Sequence, residues 1–389
     1  MIAALAIVLL LLALPGTIEL VLVTVGGLLP ARAPRAGARL AGRLAVVVPA
    51  HDEAEGIAAC VASLRNAAVT LPGAEIVVVA DNCSDDTAAR AHAAGARVLE
   101  RVDPDRRGKG YALSFAFDVL LAEDVAALVV VDADSLVTPD TLVELSAWLA
   151  DGADAAQARY GVANPEAGLR PRLMGVALMA FNVLRPRGRA RWGLSAGILG
   201  NGFALTAATL RAVPYDAHSV VEDLEYHLRL VRSGRRVAFA DRATVLASMP
   251  TGGRGVRTQR ARWEGGRLRM VREAGPGLVA AVATGSWRLF EPLLELLLLP
   301  LASHVLVLAL ALALPWEPGR VCALVGLIVV AVHVLAGIAV GGGGWRDLAA
   351  LAAAPFYVAW KLALMPAIAR ASRRDTDWVR TERPAGGRT

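Results

Sequence analysis

The sequence predicts an α/β fold with a mainly parallel sheet, placed between transmembrane α-helices at both ends of the chain. Three observations support this prediction. Of the 389 residues, 56% are hydrophobic and the mean hydropathy is +0.49, which is too apolar for a purely soluble protein. Long apolar stretches occur near both ends. Between them, short continuous apolar runs alternate with helix-like segments, a pattern typical of strands buried on both faces.

The N-terminal segment, residues 1–30, is predicted to be a transmembrane helix. It is apolar apart from Glu19 and is long enough to cross a hydrocarbon core of about 30 Å. A cleaved signal peptide is the alternative, but the segment lacks a basic start and its apolar stretch is too long. The basic linker 31–43 contains four arginines: Arg32, Arg35, Arg39 and Arg43. By the positive-inside rule, the segment after the first span is cytosolic.

The C-terminal membrane region is predicted to cover residues 288–370. Two spans, 293–314 and 321–340, are joined by the turn-like sequence "PWEPGR". A third apolar stretch, 348–369, contains prolines, a lysine and clustered aromatic residues, so it is predicted to be either an interfacial segment or a third span. The Arg-rich tail, 371–389, is predicted to be cytosolic. The expected localisation is therefore the cell membrane, with several passes.

The stretch from 44 to 287 is predicted to form the cytosolic α/β domain. Its four apolar runs are predicted strands: 44–49, 75–80, 96–100 and 127–131. In parallel sheets, ligands bind beyond the carboxyl ends of the strands. The residues that follow each run are therefore the candidates for a functional site.

Acidic residues follow three of these predicted strands. Glu53 follows the first, Asp81 the second, and Asp132 and Asp134 the fourth. Carboxylates are costly to bury unless something pairs with them. This set suits a nucleotide held through its base and ribose hydroxyls, with a divalent cation between carboxylate and diphosphate. A single acid could instead cap a helix, and for Asp85 that is an equal alternative.

Composition and motifs disfavour several other classes of protein. No GxGxxG follows the first strand, which argues against a nicotinamide-type nucleotide fold. The three cysteines form no CxxC pair, which argues against a disulfide framework or a zinc site. The net charge of +6 comes from scattered arginines, so no nucleic-acid partner is expected.

The sequence also disfavours two alternatives from other classes, a transporter and a glycoside hydrolase. A transporter needs ionisable residues grouped within its spans. The candidates here are dispersed along the sequence: Glu19, Glu291, Glu295, His304 and His333. A glycoside hydrolase could use paired carboxylates, but it does not need acids at a nucleotide site.

Four sequence elements occur in a characteristic order: "PAHDEAEGI" with "VVADNCSDDT", then "DADS", then "VVEDLEYHLRL", then "QRARW". Over roughly residues 44–270, this order resembles the membrane-embedded family 2 glycosyltransferases, relatives of cellulose, hyaluronan and poly-N-acetylglucosamine synthases. The resemblance implies a GT-A fold and inverting transfer from a nucleoside-diphosphate sugar. It also implies that Glu53 and Asp81 hold the base and ribose. The family often has two aspartates where this chain has Ala80 and Asp81, so only the second contact carries over.

Transfer from such a donor needs charge stabilisation on the leaving diphosphate and a base for the acceptor hydroxyl. Asp134, with Asp132 beside it, is predicted to anchor Mg²⁺ or Mn²⁺. The resemblance makes Asp223 the base, although acids in the first turn of a helix also occur simply because they complement its dipole. Val221 stands where the family usually has threonine, which removes a possible orienting hydroxyl.

Gln259, Arg262 and Trp263 in "QRARW" are spaced so that they share one face of a helix. An arginine there can hold diphosphate oxygens, and a tryptophan can pack on a sugar ring. In a plain amphipathic helix, Trp263 would be a core residue instead. In the family that the chain resembles, this motif accompanies processive synthesis.

Two further features are singled out. Lys109 is one of two lysines in the chain and lies between glycines. It is predicted to be a donor-binding cation, with an ordinary loop lysine as an equal alternative. The sequence "GILGNGFALT", around Asn201 and Gly202, resembles the acceptor-side loop of the family.

The expected function is membrane-bound, inverting transfer of a sugar to a growing polysaccharide. The alternative is a non-processive enzyme that adds one sugar to a lipid or lipid-linked acceptor. Expected partners are a nucleotide sugar donor, a glycan or lipid-linked acceptor, and membrane lipids. The motif "DWVRTER" at 377–383 is assigned no role.

Overall fold

The computed structural model describes residues 1–217, 219, 221–251, 253–363 and 365, without the side chains of 253–264. The strands are β1 (Leu44–Ala50), β2 (Glu75–Asp81), β3 (Arg97–Arg101), β4 (Ala127–Val130), β5 (Ser135–Val137), β6 (Ala155–Val162), β7 (Phe203–Thr206) and β8 (Val237–Ala247). All four predicted strands are confirmed to within about a residue at each end. The motif at 377–383 lies outside the described residues.

The helices of the first half of the chain are α1 (Ile2–Leu28), α2 (Ile57–Ala68), α3 (Thr87–Ala93), α4 (Lys109–Ala122), α5 (Thr141–Ala150), α6 (Leu169–Leu178) and α7 (Arg185–Arg191). Those of the second half are α8 (Ala207–Ala212), α9 (Glu222–Arg232), α10 (Gly253–Ala283), α11 (Phe290–Leu297), α12 (Leu301–Ala313), α13 (Glu317–Gly341), α14 (Trp345–Ala350) and α15 (Ala354–Ala363). A π-helical turn, Met179–Leu184, joins α6 to α7.

The strands form one mixed sheet in the order β3-β2-β1-β4-β7-β6-β8-β5. The first four strands of that order are parallel to one another, and β6 is parallel to β8. Strand β7 runs antiparallel to both of its neighbours, and β5 runs antiparallel to β8. The predicted α/β fold with a mainly parallel sheet is therefore confirmed.

Both faces of the central strands are covered by helices. Successive side chains of a strand point to opposite faces. In β1, Val46 packs with Leu64 of α2 on one face, while Val47 packs with Leu113 of α4 on the other. This double burial explains why the predicted strands are continuous apolar runs.

Two described helices, α1 and α13, are long and apolar enough to cross a membrane. The segment 293–314, predicted as one span, forms α11 and α12 with a bend of 71° between them, a geometry typical of a broken span or a re-entrant loop. Proline at 300 lacks the amide hydrogen needed to continue a helix. In addition, Glu295 of α11 is drawn towards arginines of α7, which favours the bend.

The α/β domain packs directly on the membrane-length helices. A Cβ atom at Gly337 of α13 would lie 2.8 Å from Cα of Ala180 in the π-helical turn. A Cβ atom at Gly26 of α1 would lie 2.9 Å from the carbonyl oxygen of Gly188 in α7. The helical stretch from α6 to α7 therefore packs between the two candidate spans. The sequence did not predict this packing.

Candidate active site

The predicted site residues with described side chains surround one cavity. Strands β1, β2 and β4 are parallel neighbours, so their carboxyl ends meet at one edge of the sheet. A cavity of about 2310 Å³ opens there. It is lined by all six of these residues: Glu53, Asp81, Lys109, Asp132, Asp134 and Asp223.

Asp81 is held in place by two donors on one of its oxygens. Its Oδ1 accepts hydrogen bonds of 2.6 Å from Nη1 of Arg101 and 3.1 Å from Nδ2 of Asn82. Arg101, at the end of β3, also pairs with Asp103 through Nη2 at 2.9 Å. Arg101 was not among the predicted site residues. The sequence did contain one signal, an arginine at the end of an edge strand and close to an acidic residue. Such an arginine can hold a carboxylate through hydrogen bonds.

The loop after β1 is tied to the start of α3. The amide of Glu53 donates to Oγ1 of Thr87 at 2.8 Å. The amide of Ala54 donates to Oδ2 of Asp85 at 3.2 Å, while Oδ1 of Asp85 accepts from the amide of Thr87 at 2.9 Å. Asp85 therefore ties the first residue of α3 to the neighbouring loop, whereas the N-cap of that helix is Asp86.

Another group of possible metal ligands lies at these loops. Ligand atoms of Asp52, Cys83 and Asp85 lie within 4.8 Å of one another. However, Oδ1 of Asp52 accepts the amide hydrogen of Ser84 at 2.6 Å. We interpret this group as hydrogen-bonding structure within the loops.

Lys109 begins α4 and reaches across the cavity edge. Its Nζ donates to Oδ1 of Asp132 and to the carbonyl oxygen of Gly200. Burial by itself lowers the pKa of this amine, but attraction to Asp132 and Glu222 outweighs that effect and raises the pKa of Lys109 above its ordinary value. The lysine is therefore a fixed positive charge beside a candidate metal ligand.

Asp223 and Glu222 occupy the first turn of α9. The Asp223 Oδ1 accepts the amide hydrogen of Leu224 at 2.8 Å, and a Cβ atom at Gly200 would lie 3.0 Å from its Oδ2. Burial, followed by repulsion from Asp223, raises the pKa of Glu222 to about 7. Burial also raises the pKa of Asp223 above its ordinary value, partly offset by the amide of Leu224 and by Lys109. A more basic carboxylate is a better proton acceptor at neutral pH.

Asp132 and Asp134 fit a hard divalent cation by their chemistry. Both residues line the cavity, and carboxylate oxygens are ligands that Mg²⁺ and Mn²⁺ prefer. The carboxylate of Asp134 is oriented through Oδ1, which accepts a 3.1 Å hydrogen bond from Oγ of Ser135. Such support is typical of metal-binding carboxylates.

The "QRARW" residues fall on α10, so the prediction of a helix there is confirmed. The side chains of Gln259, Arg262 and Trp263 lie outside the described part of the chain. Further along α10, Arg267 Nη2 donates to the carbonyl oxygens of Glu295 (2.7 Å) and Leu298 (2.6 Å). The helix that carries this motif is thereby fastened to the bend between α11 and α12.

The cavity continues from the sheet edge into the membrane-length helices. Its far wall is formed by apolar side chains that include Leu20 of α1, Leu306 of α12 and Val330 of α13. The ionisable residues that are dispersed along the sequence partly converge here. Four of them line the cavity: Glu19, Glu295, His304 and His333.

Buried ion pairs join α7 to α1 and α11. Arg185 pairs with Glu19 of α1 at 2.7 Å and with Glu295 of α11 at 3.3 Å. Arg189, only 3% exposed, pairs with Glu291 and, at 2.7 Å, with Glu295. Breaking such a pair would leave an uncompensated buried charge, so these contacts fix the domain against the helices.

The mixed sheet, with acidic residues at the carboxyl ends of its parallel strands, has the architecture of a GT-A domain. A family model described as "Glycosyltransferase like family 2" matches residues 41–266, which is more than half of the chain. The chain belongs to this family, and the predicted family and enzyme class are confirmed.

Individual relatives are more distant. The probable glycosyltransferase YdaM of Bacillus subtilis (strain 168) is 25% identical over 241 residues, covering 59% of this chain and 56% of that protein. The chain thus spans little more than half the length of this relative. Among solved structures, a mannosyltransferase from Pyrobaculum calidifontis, in complex with GDP-Man and Mn²⁺, has a TM-score of 0.56 at 19% identity, covering 96% of this chain and 98% of the other. This likeness supports the fold.

Proposed function

We propose that the protein is a membrane-bound, inverting glycosyltransferase that takes its sugar from a nucleoside-diphosphate sugar. The observation that carries the proposal is the single cavity that connects the carboxylates at the sheet edge with the apolar surfaces of the membrane-length helices. The Pyrobaculum mannosyltransferase was solved with a sugar nucleotide and a divalent cation. Ligands of the same chemical classes suit the acidic end of this cavity.

In this proposal the donor lies at the carboxyl ends of β1, β2 and β4. Glu53 and Asp81 hold the base and ribose, while Asp134 and Asp132 hold Mg²⁺ or Mn²⁺. The bound cation would neutralise negative charge on the leaving diphosphate. Lys109 adds a fixed positive charge next to Asp132. Three residues of α10 are proposed to contact the diphosphate and the acceptor: Gln259, Arg262 and Trp263.

Asp223 is the proposed general base. The acceptor hydroxyl gives its proton to a carboxylate oxygen of Asp223 while its oxygen bonds to the anomeric carbon of the sugar. The bond from that carbon to the diphosphate breaks in the same displacement, which inverts the anomeric centre. The burial that raises the pKa of Asp223 makes its carboxylate a stronger proton acceptor.

The shape of the cavity bears on the acceptor. A growing polysaccharide is polar along its whole length, whereas the far wall of the cavity is apolar at Leu20, Leu306 and Val330. An amphiphile could lay its alkyl chain against this wall and extend its polar end towards Asp223. We therefore favour a lipid or lipid-linked acceptor, with a growing polysaccharide as the second candidate.

The test uses membranes that contain the full chain, incubated with a panel of sugar nucleotides. Release of nucleoside diphosphate is measured, and the labelled product is partitioned between an organic and an aqueous phase. Membranes from cells that do not make the protein provide the background. A product with one sugar in the organic phase supports the favoured acceptor, whereas a long aqueous glycan supports the second candidate. If no sugar nucleotide gives release above background, the proposal is wrong.

The proposed location is the cell membrane, with several passes and the α/β domain in the cytosol. The arginines of the linker 31–43 support this orientation. The turn at Asp151–Gly152 follows α5, so a reporter inserted after Gly152 is expected to be cytosolic. A reporter on the other side of the membrane would contradict the orientation.

A further inference from the structure

Asn201 is a buried amide that touches both ends of the turn carrying the candidate metal ligands. It precedes β7, and its side chain is about 1% exposed. Its Oδ1 accepts the amide hydrogen of Asp132 at 3.1 Å, and its Nδ2 donates to Oγ of Ser135 at 2.8 Å. A buried polar group that uses its donor and its acceptor on one turn restricts the conformation of that turn.

The second of these bonds continues to Asp134. Because Oγ of Ser135 accepts from Asn201, its own hydrogen is available to Oδ1 of Asp134, 3.1 Å away. An ionised carboxylate only accepts hydrogen bonds, so the direction of this chain is fixed. Ser135 is fully buried, so its hydrogen bond with Asn201 is shielded from competition by water.

The backbone around Asn201 is itself held by a buried amide, that of Gln157 in β6. The Gln157 Nε2 donates to the carbonyl oxygen of Asn201 at 2.8 Å, and its Oε1 accepts the amide hydrogen of Leu199 at 2.9 Å. Gly200 has a φ of +79°, a conformation that suits glycine. Its carbonyl oxygen accepts from Lys109. The loop therefore has a fixed position between the metal-ligand turn and Asp223.

We propose that Asn201 is a positioning residue that orients the carboxylate of Asp134 through Ser135. This inference rests on the proposed function, since it takes Asp134 as a ligand of the divalent cation. Hydrogen-bond partners behind metal ligands set ligand orientation, and losing one typically costs about 10-fold to 100-fold in metal affinity. A Cβ atom at Gly200 would lie 3.0 Å from Oδ2 of Asp223, so the loop that carries Asn201 also passes close to the proposed base.

The test measures binding of Mn²⁺ alone to the detergent-solubilised full chain, by the electron paramagnetic resonance signal of free Mn²⁺. Asn201→Ala and Ser135→Ala each remove one link of the relay. We expect each to weaken Mn²⁺ binding by about 10-fold or more. The double variant should bind Mn²⁺ as tightly as the weaker-binding single variant. The effects of two substitutions in one hydrogen-bond chain are not additive.

A matched control uses Asn164, whose side chain also makes one hydrogen bond as donor and one as acceptor. Asn164 Nδ2 donates to the carbonyl oxygen of Met249 at 3.0 Å, and its Oδ1 accepts the amide hydrogen of Met249 at 2.8 Å. Asn164→Ala should lose comparable hydrogen bonding but keep wild-type Mn²⁺ affinity. Thermal melting of all variants identifies any that do not fold, and Ser135→Ala, the smaller change, then tests the relay.

A kinetic measurement distinguishes positioning from direct chemistry. With Asn201→Ala, the Mn²⁺ concentration for half-maximal transfer should rise by about the same factor as the binding constant, while the rate at saturating Mn²⁺ recovers most of its value. The inference is overturned if folded Asn201→Ala and Ser135→Ala bind Mn²⁺ like the wild type while Asp134→Asn does not. If Asp134→Asn itself binds Mn²⁺ normally, the assignment of Asp134 in the proposed function fails, and the inference fails with it.

Discussion

Gly188 of α7 packs directly on the backbone of Val23 in α1. A Cβ atom at Gly188 would lie 2.7 Å from Cα of Val23, so the two helices touch backbone to backbone. Close crossings at small residues are typical of helix packing in membranes. The contact brings Arg185 of α7 within reach of Glu19, with which it pairs at 2.7 Å.

Gly188→Ala should therefore loosen the α/β domain from the N-terminal helix. The added methyl group meets backbone, which cannot move aside as a flexible side chain would, and overpacking of this kind costs about 1 to 3 kcal/mol. We expect a lower Tm in detergent, measured by tryptophan fluorescence. The control is Gly275→Ala in α10, where a Cβ atom would have nothing within 4 Å. An equal Tm for Gly188→Ala and the wild type would contradict the close contact.

Arg101 is expected to act on donor affinity through Asp81. Arg101→Met removes the 2.6 Å bond to Asp81 Oδ1, and a hydrogen bond to a charged group contributes about 1.5 to 3 kcal/mol. Nucleoside diphosphate affinity, measured by calorimetry, should fall about 10-fold or more, whereas the rate at saturating donor should change little. Arg65→Met is a suitable control, because Arg65 donates to the carbonyl oxygen of Ala94 and does not line the cavity. If Arg101→Met binds nucleoside diphosphate as tightly as the wild type, the hydrogen bond from Arg101 to Asp81 does not support donor binding.

The charge of Lys109 is expected to set the pH dependence of transfer. Burial raises the pKa of both Glu222 and Asp223, and the positive charge of Lys109 partly offsets this rise. In Lys109→Met, the pKa of these carboxyls should rise further, so the acidic limb of the profile of kcat/KM should move to higher pH. Lys109→Arg keeps the positive charge and should shift the limb less. Superimposable profiles for Lys109→Met and the wild type would exclude this electrostatic role.

Much of the donor-binding part of the site was predictable because its strands are visible as apolar runs in the local sequence. Continuous apolar runs marked β1, β2 and β4, and the parallel arrangement then brought Asp81 and Asp132 to the same edge. Arg101 was missed because it lies just past the predicted strand 96–100, and its position opposite Asp81 on the neighbouring strand depends on the register of the folded sheet.

The arrangement of the terminal helices was less predictable because it depends on contacts distant in sequence. Hydropathy identified the candidate span at α1, but nothing local indicated that Gly188, 165 positions after Val23, would pack on it. The bend between α11 and α12 could be partly anticipated from Pro300. Its stabilisation by Arg189, which pairs with Glu295, required knowledge of the tertiary fold.

Glu222 should make stability depend on pH. Its pKa is raised from 4.5 to about 7, mainly by burial. A carboxyl group with a raised folded-state pKa contributes stability that is fully present below pH 4.5 and is lost as the pH rises through about 7. The glutamine of Glu222→Gln is neutral at every pH. The difference in Tm between this variant and the wild type should therefore increase from pH 4.5 to about 7 and level off at higher pH. A constant Tm difference across the window would show that the carboxyl group is not perturbed by burial.

Asp223→Asn separates binding from chemistry. The change keeps the size of the side chain and its acceptor for the amide of Leu224, but it removes the proton acceptor. Transfer should fall by about 100-fold to 10,000-fold, the usual contribution of general-base catalysis, while donor affinity measured by calorimetry should change little. Glu222→Gln is the matched comparison and should retain most of its activity. Should Glu222→Gln lose transfer and Asp223→Asn keep it, the base is Glu222; should Asp223→Asn lose donor binding, Asp223 belongs to the nucleotide site instead.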